Sequence, residues 1–114
     1  MTPNEPVEAT QLTVYTGDSF RYGNKRLYRA VVELLHAERI AVASVLHGIE
    51  GYGGDKRIHT SRILDLSNDL PVVVVAVDRP EKIEAVLPKL DALVDKGLVT
   101  TQPVRVVLSR PAEI

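Results

Sequence analysis

The chain of 114 residues has no cysteine, which removes disulfides, thiolate metal ligands and a cysteine nucleophile together and suits a reducing compartment. Aromatic side chains are scarce: Tyr15, Phe20, Tyr22, Tyr28 and Tyr52 are the whole set. Charge of one sign is lacking too, because 14 Lys and Arg against 15 Asp and Glu leave a net charge of −1. No global field therefore draws the chain to nucleic acid or to an anionic membrane. The longest apolar run, Val72–Val77, falls far short of the roughly 20 residues of a membrane helix. Met1–Ala9 holds Pro3, Glu5, Pro6 and Glu8 where a signal peptide needs a basic start and an apolar centre. Together these absences set the expectation of a cytoplasmic protein.

What is present is the composition of one soluble domain, 45% hydrophobic and 25% charged, at a length that buries a single core. Polar, proline-bearing ends suggest tails at 1–9 and 110–114 around a domain at 10–109. Leu12–Thr16 alternates and stops at Gly17-Asp18, predicting a first strand. Leu27, Val31, Leu34 and Leu35 form one stripe of a helix expected from Lys25 to Arg39, with Asn24 as its N-cap. A second strand is expected over Ala43–Glu50, running into glycine-rich backbone at Gly51–Gly54, and a loop over 54–68 follows.

Pro71–Val77 predicts a third strand, and Asp78-Arg79-Pro80-Glu81 predicts a helix start with Asp78 as cap. Ile83, Val86, Leu87, Leu90, Leu93 and Val94 carry that helix to Lys96-Gly97, where Gly97 suits a left-handed cap. Pro88 breaks its pattern by removing a donor. Val104–Leu108 predicts a fourth strand. The order is strand, helix, strand, twice over, which defines an α+β, ferredoxin-like βαββαβ fold: a four-stranded antiparallel sheet with two helices on one face. The third strand is apolar on both sides, where a sheet facing water should alternate. A closed oligomer is the expected cover.

Val45-Leu46-His47-Gly48-Ile49-Glu50-Gly51-Tyr52-Gly53, with Arg57-Ile58-His59-Thr60 and Leu70-Pro71-Val72-Val73-Val74 behind it, resembles the domain of unknown function 190 family, a P-II-like group. Tyr15-Thr16-Gly17-Asp18, Lys25-Arg26-Leu27-Tyr28 and Arg79-Pro80-Glu81-Lys82-Ile83 resemble it too, and the likeness runs over residues 11–108. The resemblance implies a homotrimer whose intersubunit clefts bind a small-molecule effector, a nucleotide or another small anion. It also implies a partner, a membrane transporter or an enzyme, docked through the 54–68 loop, where Asp55, Lys56, Arg57 and Arg62 stand. Gly51-Tyr52-Gly53 matches the glycine–aromatic–glycine turn that approaches the nucleotide in P-II regulators. Glycines there let main-chain N–H groups come close to an anion. Arg57, His59, Arg105 and Arg110 complete the candidate ligand set as donors. The likeness fails at Lys96-Gly97-Leu98-Val99-Thr100-Thr101, which lacks the repeated glycines of the second phosphate-holding turn and leaves ATP and ADP open.

Other readings compete. The basic loop residues also suit a plain solvated loop. His36, His47 and His59, with Asp55 four residues before His59, make a poor metal set, lacking the helical ligand pair and the four donors of a structural zinc. Ser44 with His47, and Ser61 with His59, lack the context of a nucleophile. No catalytic residue or metal ligand is therefore assigned, and an interface enzyme using Glu50 or His59 ranks below a structural or metal-tolerance trimer without nucleotide switching. RNA recognition, which shares the βαββαβ order, needs aromatics on the central strands. Val72–Val77 offers none.

Overall fold

The computed structural model describes residues 6–60 and 69–110. Strand β1 (Val7–Gly17) is followed by a small hairpin of β2 (Arg21–Tyr22) and β3 (Lys25–Arg26), then by helix α1 (Leu27–Ala37). Strand β4 (Val42–His47) leads into a second small hairpin, β5 (Glu50–Gly51) and β6 (His59–Thr60). Strand β7 (Pro71–Asp78), helix α2 (Pro80–Leu93) and strand β8 (Leu98–Val106) complete the chain. The main sheet is antiparallel with order β4-β7-β1-β8, the arrangement expected from the repeated strand–helix–strand plan.

Both helices lie on one face of that sheet. Leu27, Val31 and Leu35 of α1 and Ile83, Val86 and Leu90 of α2 meet Leu12 and Val14 of β1 and Val74 and Ala76 of β7 in a single buried cluster. The spacing four residues apart on α1 and three to four on α2 is what aims each stripe at the sheet. Full burial of a side chain of this size contributes about 1.5–3 kcal/mol.

The element ends differ from the sequence reading in ways the local physics explains. β1 starts at Val7, three residues before the expected edge of the domain, because Val7–Ala9 pairs with Val104–Val106. Asn24 caps no helix. With Gly23 (φ +60°) it forms the tip of the β2–β3 hairpin, a turn that favours glycine first. Helix α1 ends two residues early, at Ala37, because Arg39 adopts φ +59° and the N–H groups of Arg39 and Ile40 turn back to the carbonyls of His36 and Leu35. That closure normally uses glycine.

Asp78 is not the cap of α2, whose first turn has no side-chain cap. Its buried carboxylate accepts the N–H groups of Ala41 (2.9 Å) and Arg79 (2.6 Å) and so ties the start of β4 to the start of α2. The helix runs through Pro88. Pro88 and Glu84 both lie on its exposed side, where water can take up the Glu84 carbonyl that loses its partner.

β8 begins at Leu98, six residues before the expected Val104, and Val107 and Leu108 lie beyond it. Thr100-Thr101-Gln102-Pro103 lacks an apolar alternation, yet β8 is an edge strand, where a sheet tolerates proline within the strand.

The other face of the sheet is apolar and open. Val72, Val74 and Ala76 face the helices, so Val73, Val75 and Val77 face away, half-buried by their neighbours. Cross-strand register places Leu46, Val73, Tyr15 and Leu98 in one row and Val42 beside Val77 in another. Tyr15 is 44% exposed, Val42 and Leu46 54%, and Leu98 57%.

Candidate functional site

The ends of three strands build a cavity of about 730 Å³ at one end of the sheet. β1 supplies Tyr15, Thr16 and Gly17, the start of β7 supplies Pro71–Val73, and the entry to β8 supplies Lys96, Gly97 and Leu98. The segment from β5 to β6 forms the outer wall with Gly51–Asp55 and His59, and Phe20 and Asp69 close the floor. Tyr15, Val73 and Leu98 belong to the open apolar face, so the cavity opens onto that face.

Close backbone approach sets the wall in place. The Gly48 N–H donates to the Pro71 carbonyl (2.7 Å), and a Cβ on Gly48 would stand 2.6 Å from the Pro71 ring. β4 thus ends at His47, and the chain crosses above Pro71 before pairing Gly51 with His59 and Glu50 with Thr60. The second strand expected over Ala43–Glu50 is split by this crossing. By contrast, Gly53 and Gly54 would place a Cβ in open space. The packing within one chain does not demand glycine there, whereas approach of a ligand to the main chain would.

Polar contacts fix the rim. Asp69 accepts from the Ser19 N–H (2.6 Å) and hydroxyl (2.7 Å), and its own N–H donates to His59 Nδ1 (3.2 Å). Since Nδ1 accepts, the neutral imidazole carries its proton on Nε2, which faces Asp55 Oδ2 at 3.2 Å. The Arg57 N–H on Asp55 Oδ1 (3.0 Å), and then His59, hold the Asp55 carboxyl below the usual carboxylate range.

Of the residues singled out in the sequence, Gly51, Tyr52, Gly53, Asp55 and His59 come together in this cavity. Lys56 and Arg57 do not line it; they stand exposed on the adjoining turn, with Lys56 at φ +61°. Arg62 lies outside the described residues, as does Ser61. Arg105 pairs in register with Glu8, at the far end of β1 from Gly17, roughly 30 Å away at about 3.3 Å per residue. Arg110 is exposed beyond β8. Within one chain, then, neither arginine meets the cavity. Ser44 and His47 sit on opposite faces of β4 by register, which separates them, and His47 Nε2 faces Asp18 instead (3.3 Å). Among the described residues no group of three or more His, Asp or Glu is arranged to hold a metal ion.

The sequence reading missed Tyr15, Gly17, Phe20 and Asp69 as wall residues. Gly17-Asp18 was visible as a turn, but only the sheet order brings it beside Asp69. Lys96-Gly97, noted for the glycines it lacks, nevertheless lines the cavity and contributes its lysine.

A split βαββαβ sheet with helices on one face and a cavity at the strand ends is the P-II-like, ferredoxin-like fold. CPII, a nitrogen regulatory PII-like protein from Thiomonas intermedia K12 seen bound to ADP, AMP and bicarbonate, superposes with a TM-score of 0.60 at 13% identity, over 90% of this chain and 91% of that one. The divalent ion tolerance protein CutA1 of Ehrlichia chaffeensis superposes with a TM-score of 0.54 at 17% identity, over 99% of this chain and 88% of that one.

Sequence narrows the class to a family. The DUF190 model, described as Uncharacterized ACR, matches residues 9–106, and a UPF0166 protein of Aquifex aeolicus is 30% identical over 101 residues, 89% of this chain and 95% of that protein. The chain belongs to the DUF190 family. No helix among its described residues is long and apolar enough to cross a membrane.

Proposed function

We propose that this chain is a cytoplasmic, non-enzymatic P-II-like regulator that works as a homotrimer. Its subunit clefts bind a small anionic or nucleotide effector, and its 54–68 loop docks on a partner protein, a membrane transporter or an enzyme. The observation that carries this reading is the position of the cavity: it shares Tyr15, Val73 and Leu98 with an apolar sheet face that both helices leave open. Monomeric proteins rarely expose such a face, and covering it with sister chains turns a cavity at the strand ends into a cleft between subunits.

The charge of the wall supports the same arrangement. Lys96 is its only Lys or Arg, set against Asp55 and Asp69 among the described lining residues, a poor balance for an anion. Arg105 and Arg110, remote within one chain, then serve as donors from a neighbouring copy. CPII holds ADP, AMP and bicarbonate, so nucleotides and bicarbonate head the ligands to screen. Effector binding shifts the loop between two arrangements only if the effector binds them with different affinity.

The likeness to CutA1 favours a second reading, a structural or metal-tolerance trimer without nucleotide switching. A thermal-shift screen against nucleotides, bicarbonate and divalent cations separates the two, since the ligand that binds the native state raises its melting temperature. Stabilisation by nucleotides or bicarbonate supports the regulator; stabilisation by divalent cations alone selects the metal-tolerance reading. Catalytic turnover of any of these compounds contradicts both.

A further inference from the structure

We propose that His59 is a proton-dependent oxyanion receptor, held out of use in its neutral form by the main chain of Asp69. The inference rests on the reading of the cavity as an anion site and adds how that site is regulated.

Both ring nitrogens of His59 are already engaged. Nδ1 accepts the Asp69 N–H and Nε2 donates to Asp55, at 3.2 Å each. The side chain is only 15% exposed, so water does not readily replace the Asp69 N–H at Nδ1, while Asp55 stands more open at the rim. A neutral His59 therefore lines the cavity without offering an N–H to a ligand. Protonation adds a hydrogen to Nδ1, and two donors then face each other across the 3.2 Å gap to the Asp69 nitrogen. The ring must turn away from that amide, with Asp55 still holding Nε2, and the displaced Nδ1–H becomes a charge-assisted donor to an anion.

Charged groups from several elements face the ring. Asp55 faces the ring from the β5–β6 turn, Asp69 from the entry to β7, and Lys96 lines the cavity from the entry to β8. Glu50 stands on β5 beside the strand pair of Gly51 and His59, and Arg57 touches Asp55 through its N–H. Asp55 stays ionised because the Arg57 N–H and His59 lower its proton affinity, so the imidazolium keeps a counter-charge at Nε2, on the β5–β6 wall of the cavity, while Nδ1 turns to the ligand. By linkage, an anion that binds the charged ring better than the neutral one draws a proton onto it.

Sulfate is the probe, because it does not titrate near neutrality as phosphate does. Binding is followed by amide shifts of Gly51, Gly53, Gly54 and Gly97 in the full chain, at about pH 6 and about pH 8. The native protein is expected to bind sulfate at least about fivefold more tightly at the lower pH. His59→Gln, whose amide can accept and donate as the neutral ring does, is expected to bind with the weaker affinity at both. Nitrogen-15 shifts of the His59 ring at the higher pH should show the proton on Nε2. Equal affinity at the two pH values, the same pH response in His59→Gln, a proton on Nδ1, or no sulfate binding at either pH each overturns the proposal. The regulator reading is tested separately: it falls if nucleotides and bicarbonate fail to stabilise the protein in the thermal-shift screen.

Discussion

Gly97 passes so close to Tyr15 that a Cβ on the glycine would stand 2.5 Å from the Tyr15 carbonyl oxygen, and its φ of +128° lies where L side chains rarely go. This contact joins the entry of β8 to the end of β1, both of which line the cavity. Gly97→Ala meets backbone strain and a steric clash at once, and is expected to destabilise the protein by about 1–3 kcal/mol. Denaturant unfolding of the two forms measures the cost. A loss under about 0.5 kcal/mol would show that the junction relaxes freely.

Val75 sits at the centre of the open sheet face, between Ser44 of β4 and Thr13 of β1. Val75→Asp places a charge where sister chains are expected to pack, while its side chain points away from the helix-side core. The variant should fold as a lone chain, with far-ultraviolet circular dichroism close to that of the native protein and the mass of a monomer by light scattering. An unchanged assembly would mean that some other surface holds the subunits together.

Asp69 accepts from both the N–H and the hydroxyl of Ser19, clamping the turn after β1 to the entry of β7. Asp69→Asn replaces one acceptor oxygen with a donor group, and should cost about 1–2 kcal/mol in denaturant unfolding. Ser19→Ala removes the hydroxyl alone and should cost less. The reverse order of the two costs would place the strength of the clamp elsewhere.

The lowered proton affinity of Asp55 has a definite sign in stability. A carboxyl whose folded value is depressed contributes stability above its unfolded value, and loses it as pH falls through the folded value. Asp55→Asn should therefore melt below the native protein at about pH 7, and the gap should close as the pH falls through the folded value and the native carboxyl protonates. Melting curves of the two forms across that window check it. A gap that stays open once the native carboxyl itself has protonated would reverse the assignment of Arg57 and His59 as its cause.

Periodicity made much of the fold legible. The Leu27, Val31, Leu35 stripe and the Val72–Val77 run specify a helix face and a two-sided strand directly, since burial repeats at 3.6 and 2 residues. The first six residues of β8 escaped because its polar middle and Pro103 obey edge-strand rules, and being at an edge is a property of the whole sheet. The early end of α1 was hidden because Arg39 does what glycine usually does. At the site, Gly51-Tyr52-Gly53 was visible as a local pattern. Asp69 was not, because its importance comes from reaching Ser19 fifty residues away and His59 across the β6–β7 connection. Arg105 looked suitable by chemistry, and only its register opposite Glu8 shows that a single chain keeps it from the cavity.

The assembly mass in dilute solution bears most directly on the whole account. Light scattering coupled to size-exclusion chromatography is expected to give three times the 12.5 kDa of one chain, persisting at micromolar concentration. A stable, folded monomer with Tyr15, Val73 and Leu98 open to water would contradict it, since the cleft between subunits would then not exist.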